Sequence, residues 1–176
     1  KIFLQNVNIH KLDGDIDYRT RNIIKFDEHD SNKIISDEEI FKFIIDNFGL
    51  DQQKSDQILI NDRKFTCKLV SNNILWIEFN DFFRKATGSK DYTYISNKFD
   101  WVFISNFKKN NDDSIDVIRR FISFIDITYT NRTKIKFFFN DIDIENIYTG
   151  SKIENLWVRC KSRLSEMRTQ EYLTNN

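Results

Sequence analysis

Two apolar runs, at 100–104 and 134–139, are separated by one long amphipathic stretch, and this arrangement constrains the fold more than any other feature. Over 114–129, Ile118, Phe121, Ile122, Phe124 and Ile125 share one face at helical spacing. Two strands held that far apart by a helix cannot form a hairpin, so the pattern predicts a parallel βαβ crossover and an α/β fold. Phe137, Phe138 and Phe139 fit a strand buried on both faces, and the aromatic stripes read as core.

Upstream the signals are different. Ser36-Asp37-Glu38-Glu39 is a capping box, a serine followed three residues later by glutamate. Ile40, Phe41, Ile44, Ile45 and Phe48 then recur at helical spacing and Gly49 supplies a stop, which predicts a helix over 37–48. Runs at 57–60 and 63–70 flank Asn61-Asp62, the pattern of a tight hairpin, and 74–79 adds a third strand. The whole of 56–79 reads as an antiparallel β-rich insert. Strands are expected at 6–12 and 20–26 around an Asp13-Gly14 turn. Short helices are expected at 81–86, 89–97 and 143–148, and a last one at 156–171. Polar loops are expected at 27–35 and 105–113.

Composition weighs against several function classes. Lysine plus arginine equals aspartate plus glutamate, 27 each, so the basic excess that marks most nucleic-acid-binding domains is missing. No apolar run approaches the ~20 residues of a membrane-spanning helix. Cys67 and Cys160 stand apart, and with His10 and His29 they make no metal-ligand spacing, so a reducing compartment and idle thiols are expected. The chain begins at Lys1 without a secretory signal, as expected of an excised or truncated piece of cytoplasmic origin, with the mitochondrial matrix as the alternative. Asp13, Asp15, Asp17, Asp112, Asp113 and Asp116 read as turns and helix caps rather than cation ligands.

The chemistry of nucleotide hydrolysis is missing as well. A phosphate-cradling loop requires G-x-x-x-x-G-K-[ST], whose backbone N–H groups surround the phosphates. The four glycines, at 14, 49, 88 and 150, are each isolated. The two Gly-Ser-Lys triplets, at 88–90 and 150–152, lack the first glycine and the preceding strand. No acidic pair for magnesium ends the strand at 101–104, which runs into Ser105-Asn106. No Ser/His/Asp or Cys/His arrangement is legible. This chain alone is expected to bind no nucleotide.

A set of ordered strings points to a family. From Gly88 the chain runs Gly-Ser-Lys-Asp-Tyr, then Arg119-Arg120-Phe121-Ile122 with Ile125-Asp126 and Tyr129, then Ile147-Tyr148-Thr149-Gly150. It closes on Arg159, Ser162-Arg163-Leu164, Glu166-Met167 and Glu171-Tyr172-Leu173. Near the start stands His10-Lys11-Leu12-Asp13-Gly14 followed by Asp17-Tyr18-Arg19. Together, over about 2–26 and 78–174, these resemble the C-terminal part of the ZapE/Afg-type AAA+ ATPases. The resemblance implies three portions: 1–26 following the ATPase core, 27–80 as helix plus β-meander insert, and 81–176 as a C-terminal α/β subdomain related to P-loop nucleotide hydrolases. The chain departs from the family at Phe107-Lys108, where a valine-proline turn is usual, and at Phe138-Phe139, where small residues are usual.

What the resemblance implies for function belongs to a longer parent. That parent would hydrolyse ATP with magnesium, assemble as a homo-oligomer with the missing N-terminal ATPase half, and act on a protein client. The client would be the division-ring protein FtsZ for bacterial members and inner-membrane proteins for mitochondrial ones. Arg19, Arg119, Arg120, Arg159 and Arg163 fall on the family pattern as nucleotide-sensing or interface candidates, and Asp17, Tyr18, Asp126, Tyr148, Gly150, Glu166, Met167 and Tyr172 as family-motif positions. Each arginine has a structural reading beside the sensing one; Arg163, for example, lies within reach of Glu166 one turn on. Replacing Arg163 by alanine in the parent is expected to lower the hydrolysis rate more than stability. The alternative to a coupling portion is a stand-alone binding or adaptor module that has lost the enzyme.

Overall fold

The structure, a computed structural model, describes residue 21 and residues 34–49, 55–71 and 73–174. The strand expected at 6–12 lies outside these, as do Asp17, Tyr18 and Arg19. Of the strand expected at 20–26 only Arg21 is described, and it is helical.

Helix α1 (Asp37–Phe48) starts where its cap dictates: Ser36 Oγ accepts from the Glu39 N–H, and the Glu39 carboxylate accepts from the Ser36 N–H. Gly49, at φ 68°, ends it and donates to the Ile45 carbonyl. Strands β1 (Ser55–Ile60) and β2 (Arg63–Ser71) pair antiparallel across Asn61 and Asp62. Those two residues have φ of 48° and 63°, the left-handed pair that suits a two-residue hairpin. Then follow β3 (Ile74–Glu78), α2 (Phe79–Arg84), α3 (Ser89–Lys98), β4 (Trp101–Ser105), a 3-10 turn (Asp112–Ser114) and α4 (Ile115–Thr130). The chain closes with β5 (Lys134–Phe137), α5 (Ile144–Ile147), α6 (Glu154–Met167) and α7 (Gln170–Thr174).

The strands form one sheet in the order β1-β2-β3-β4-β5, antiparallel through β3 and parallel from β3 to β5. The predicted crossover is present, with α4 joining parallel strands β4 and β5. Strand β3 belongs to both halves, antiparallel to β2 and parallel to β4, so hairpin and βαβ unit share one sheet. Register places Trp76, Phe103 and Lys136 side by side on one face and Leu75, Val102 and Ile135 on the other. Helix α1 covers the first face, where the Phe48 ring meets Trp101 and Phe103 edge-on. On the other side Phe121 of α4, fully buried, touches Phe79, Phe83, Phe107 and Trp157.

Three boundaries depart from expectation, each for a local reason. The helix expected at 156–171 is two: Thr169 interrupts it, its Oγ1 donating to the Glu166 carbonyl and accepting from the Tyr172 N–H to start α7. The strand expected to run to 139 ends at Phe137, and Asn140 at φ 56° turns the chain so that its amide holds both the N–H and the carbonyl of Ile35. The helix expected from 81 begins at Phe79, directly off β3.

Candidate functional site

Four of the family positions converge on the exposed side of α4 and α6. Asp126 of α4 accepts from two arginines of α6: Arg159 at 2.9 Å, and Arg163 on its other oxygen. The Arg163 guanidinium also lies over the Tyr129 ring, and the Tyr129 hydroxyl donates to Glu166 at 2.8 Å. That last bond raises the Tyr129 pKa, with desolvation adding to it. Arg159 and Arg163 stand one turn apart on α6, so one carboxylate on the facing helix can meet both. The two differ in anchorage. The Arg159 side chain is 51% exposed with one partner, whereas Arg163 is 27% exposed and stacked. The pairing of Arg163 is therefore with Asp126, while Glu166 belongs to Tyr129.

The remaining family positions lie elsewhere. Arg119 is exposed on α4. Arg120, next to it, turns to α2 and donates to the Phe83 carbonyl at 3.1 Å. Met167 and Tyr172 are core; the Tyr172 ring stacks on Tyr129 and burial pushes its hydroxyl pKa up. Tyr148 is buried and donates its hydroxyl to Asp112.

Gly150 sits where Tyr148 and Asp112 meet. A Cβ added there would lie 2.5 Å from the Tyr148 oxygen and 2.6 Å from its ring, and closer still to Asp112 Oδ1. The Tyr148 ring is buried and the Asp112 carboxylate is tied by three hydrogen bonds, so glycine is the residue that fits. Gly150→Ala is expected to cost about 1–3 kcal/mol as an overpacked site, read as a lowered midpoint in thermal or denaturant unfolding.

In each Gly-Ser-Lys triplet at least one backbone N–H donates to a carboxylate of the chain itself. The N–H groups of Ser151 and Lys152 donate to Asp112, whose pKa the Tyr148 hydroxyl and these two amides hold below the usual carboxylate range against desolvation. The Gly88 N–H donates to Asp91. At the carboxyl ends of the parallel strands, Glu78 is held by Lys68 at 3.3 Å and Asn106 at 3.1 Å, and Ser105 accepts from Trp76 Nε1. Among the described residues no three His, Cys, Asp or Glu side chains are placed to hold a metal ion. Among the described residues, then, neither a phosphate loop nor a cluster of acids for magnesium is present.

Two features have little sequence signal. Asp91, its side chain 3% exposed, accepts from Arg63 at 2.5 Å, Asn61 at 2.9 Å and Gly88 N at 2.9 Å, tying the hairpin tip to the start of α3. Arg63 and Asp91 are 28 residues apart; the one local hint is a carboxylate three residues after Gly88, the spacing of an N-terminal cap. Lys136, 3% exposed, lies over the Phe138 ring, and burial with the nearby Arg168 charge pulls its pKa down to about 7. Its neighbours Ile135 and Phe137 carry the apolar signal and conceal it.

Comparison with known proteins gives a consistent result. The model of the AFG1-like ATPase family matches residues 1–176. The cell division protein ZapE of Escherichia coli K12 is 26% identical over 174 residues, covering 96% of this chain and 45% of that protein, and ZapE of the O157:H7 strain gives the same figures. An uncharacterized Schizosaccharomyces pombe protein is 24% identical over 151 residues, 70% of this chain and 33% of its own length. The chain therefore spans less than half the length of the curated relatives it matches. No solved structure matches significantly.

Proposed function

The chain belongs to the AFG1-like ATPase family, with the α/β fold of such proteins, and from that premise we propose that it is the coupling portion of an ATP-hydrolysing parent. In this reading a nucleotide-binding portion outside these residues holds Mg-ATP, and the present chain packs on it and passes its state to a protein client. The observation that carries the reading is the combination of a family match along the whole chain with backbone donors already committed to Asp91 and Asp112. A chain that matches the family throughout, yet has no phosphate loop to offer, serves the ATPase in some way other than holding the phosphates. The name of the bacterial relative supports a client in cell division, and we extend that class of client to the parent of this chain.

The Asp126 cluster supplies the contact point with nucleotide. Arg163, stacked on Tyr129, stays with α4, and Arg159 is the guanidinium able to swing outward to a phosphate on a neighbouring subunit. Calorimetry with Mg-ATP tests the reading as a whole. The 176-residue chain should give no binding heat, and a protein extended to the length of the relatives should bind. Binding by the short chain would require a nucleotide site among its own residues and would overturn the proposal. Failure of the extended form to bind would favour the stand-alone adaptor.

A further inference from the structure

A cavity of about 510 Å³, open to solvent, lies between the hairpin tip, the start of α3 and the side of α4. Its lining includes Asn61, Arg63, Thr87, Lys90, Asp91 and Arg120, three cations against one carboxylate. Asp91 offsets one of those charges and leaves the lining net positive, and its buried oxygens are already occupied by Arg63, Asn61 and the Gly88 N–H. The cations keep capacity to spare. A guanidinium carries five N–H donors. Arg63 uses Nη1 on the Ala86 carbonyl and Nη2 on Asp91, and Arg120 uses Nη1 on the Phe83 carbonyl. Lys90 is exposed at the rim. The positive charge therefore comes from β2, α3 and α4 together. Just before α3 the Gly88 N–H is already taken by Asp91.

We propose that this cavity binds an acidic segment of a protein partner, with Arg63 and Arg120 each receiving a carboxylate and Lys90 adding charge at the rim. The size favours a peptide over a lone ion, since the space far exceeds what one oxyanion fills. The lining holds no aromatic ring on which a nucleobase could stack, which disfavours a nucleotide. The two guanidiniums belong to separate elements, as suits two successive acidic side chains better than one compact group. The inference stands apart from the ATPase reading, because its test uses this chain without nucleotide.

The test is fluorescence anisotropy of a labelled oligoglutamate peptide titrated with the 176-residue chain at low salt, with oligoglutamine as the neutral control. The expected result is saturable binding of oligoglutamate alone. Arg120→Gln, which keeps an amide donor for the Phe83 carbonyl, should weaken it roughly tenfold, about 1.4 kcal/mol. Lys90→Gln, an exposed change with no packing role, should weaken it by a smaller factor. Lys42→Gln, on α1 across the sheet, should leave it unchanged. Absence of binding, or equal weakening by Lys42→Gln, would overturn the proposal, the latter by showing general charge attraction. Full displacement by equimolar inorganic phosphate would overturn the peptide reading and leave a site for a single oxyanion. Circular dichroism of each variant separates lost binding from lost fold.

Discussion

Arg159→Ala in the full-length parent should lower the rate of ATP hydrolysis by about 10³-fold or more, the range of an arginine that acts in trans on a neighbour's phosphates. The melting temperature should barely move, because the side chain is half exposed and an exposed ion pair contributes at most ~1 kcal/mol. Arg163→Ala makes the contrast. It removes the less exposed partner of Asp126 together with the stacking on Tyr129, so stability should fall more than for Arg159→Ala. Rate and melting temperature measured on both variants decide the roles. A normal rate in Arg159→Ala would make the whole cluster a structural brace between α4 and α6.

Asp91→Ala should be among the most destabilising single changes in this chain. It removes the carboxylate that holds Arg63, Asn61 and the N–H of Gly88, the residue that caps α3, and leaves those donors beside a buried gap. Because Arg63 keeps some access to water, the loss is about 3 kcal/mol, toward the lower end for a broken buried pair. For a chain of this length that is roughly 6–12 °C in melting temperature. The pH dependence has a definite sign. Burial alone would raise the Asp91 pKa, but the bonds from Arg63, Asn61 and Gly88 outweigh it and hold the carboxyl below its ordinary value. Its contribution is therefore present above the unfolded-state value of about 4 and lost as pH falls through the lower folded-state value. Melting curves of the two proteins should converge as the solution is acidified below about pH 4. A constant gap down to pH 2 would show that the loss comes from packing and not from the charge.

What the sequence makes legible follows how far apart the interacting residues are. Helix α1 could be bounded to the residue because its cap, stripe and stop lie within fourteen positions, from Ser36 to Gly49. The hairpin turn at Asn61-Asp62 and the parallel crossover through α4 are also set by local pattern. The break at Thr169 is less visible, since a threonine in a helical stretch gives no sign of whether its hydroxyl will cap a new turn. Arg159, Arg163, Asp126 and Glu166 are each readable as family positions, but their convergence depends on α4 and α6 packing side by side, across separations of 33 and 37 residues. The Asp91 tether and the buried Lys136 are hidden for the same reason: tertiary packing decides their surroundings, and neither neighbour in sequence reports it.

The order of the strands across the sheet is the order in which they are synthesised. Each strand from β2 onward joins an edge left by the one before it, and none has to insert between two that are already paired. The β1–β2 hairpin needs only a two-residue turn, whereas the parallel additions of β4 and β5 must wait for their helices, whose loop-closure cost comes before the contacts that offset it. A nascent chain leaving the ribosome can thus assemble this sheet in a single direction, with the slow steps falling last.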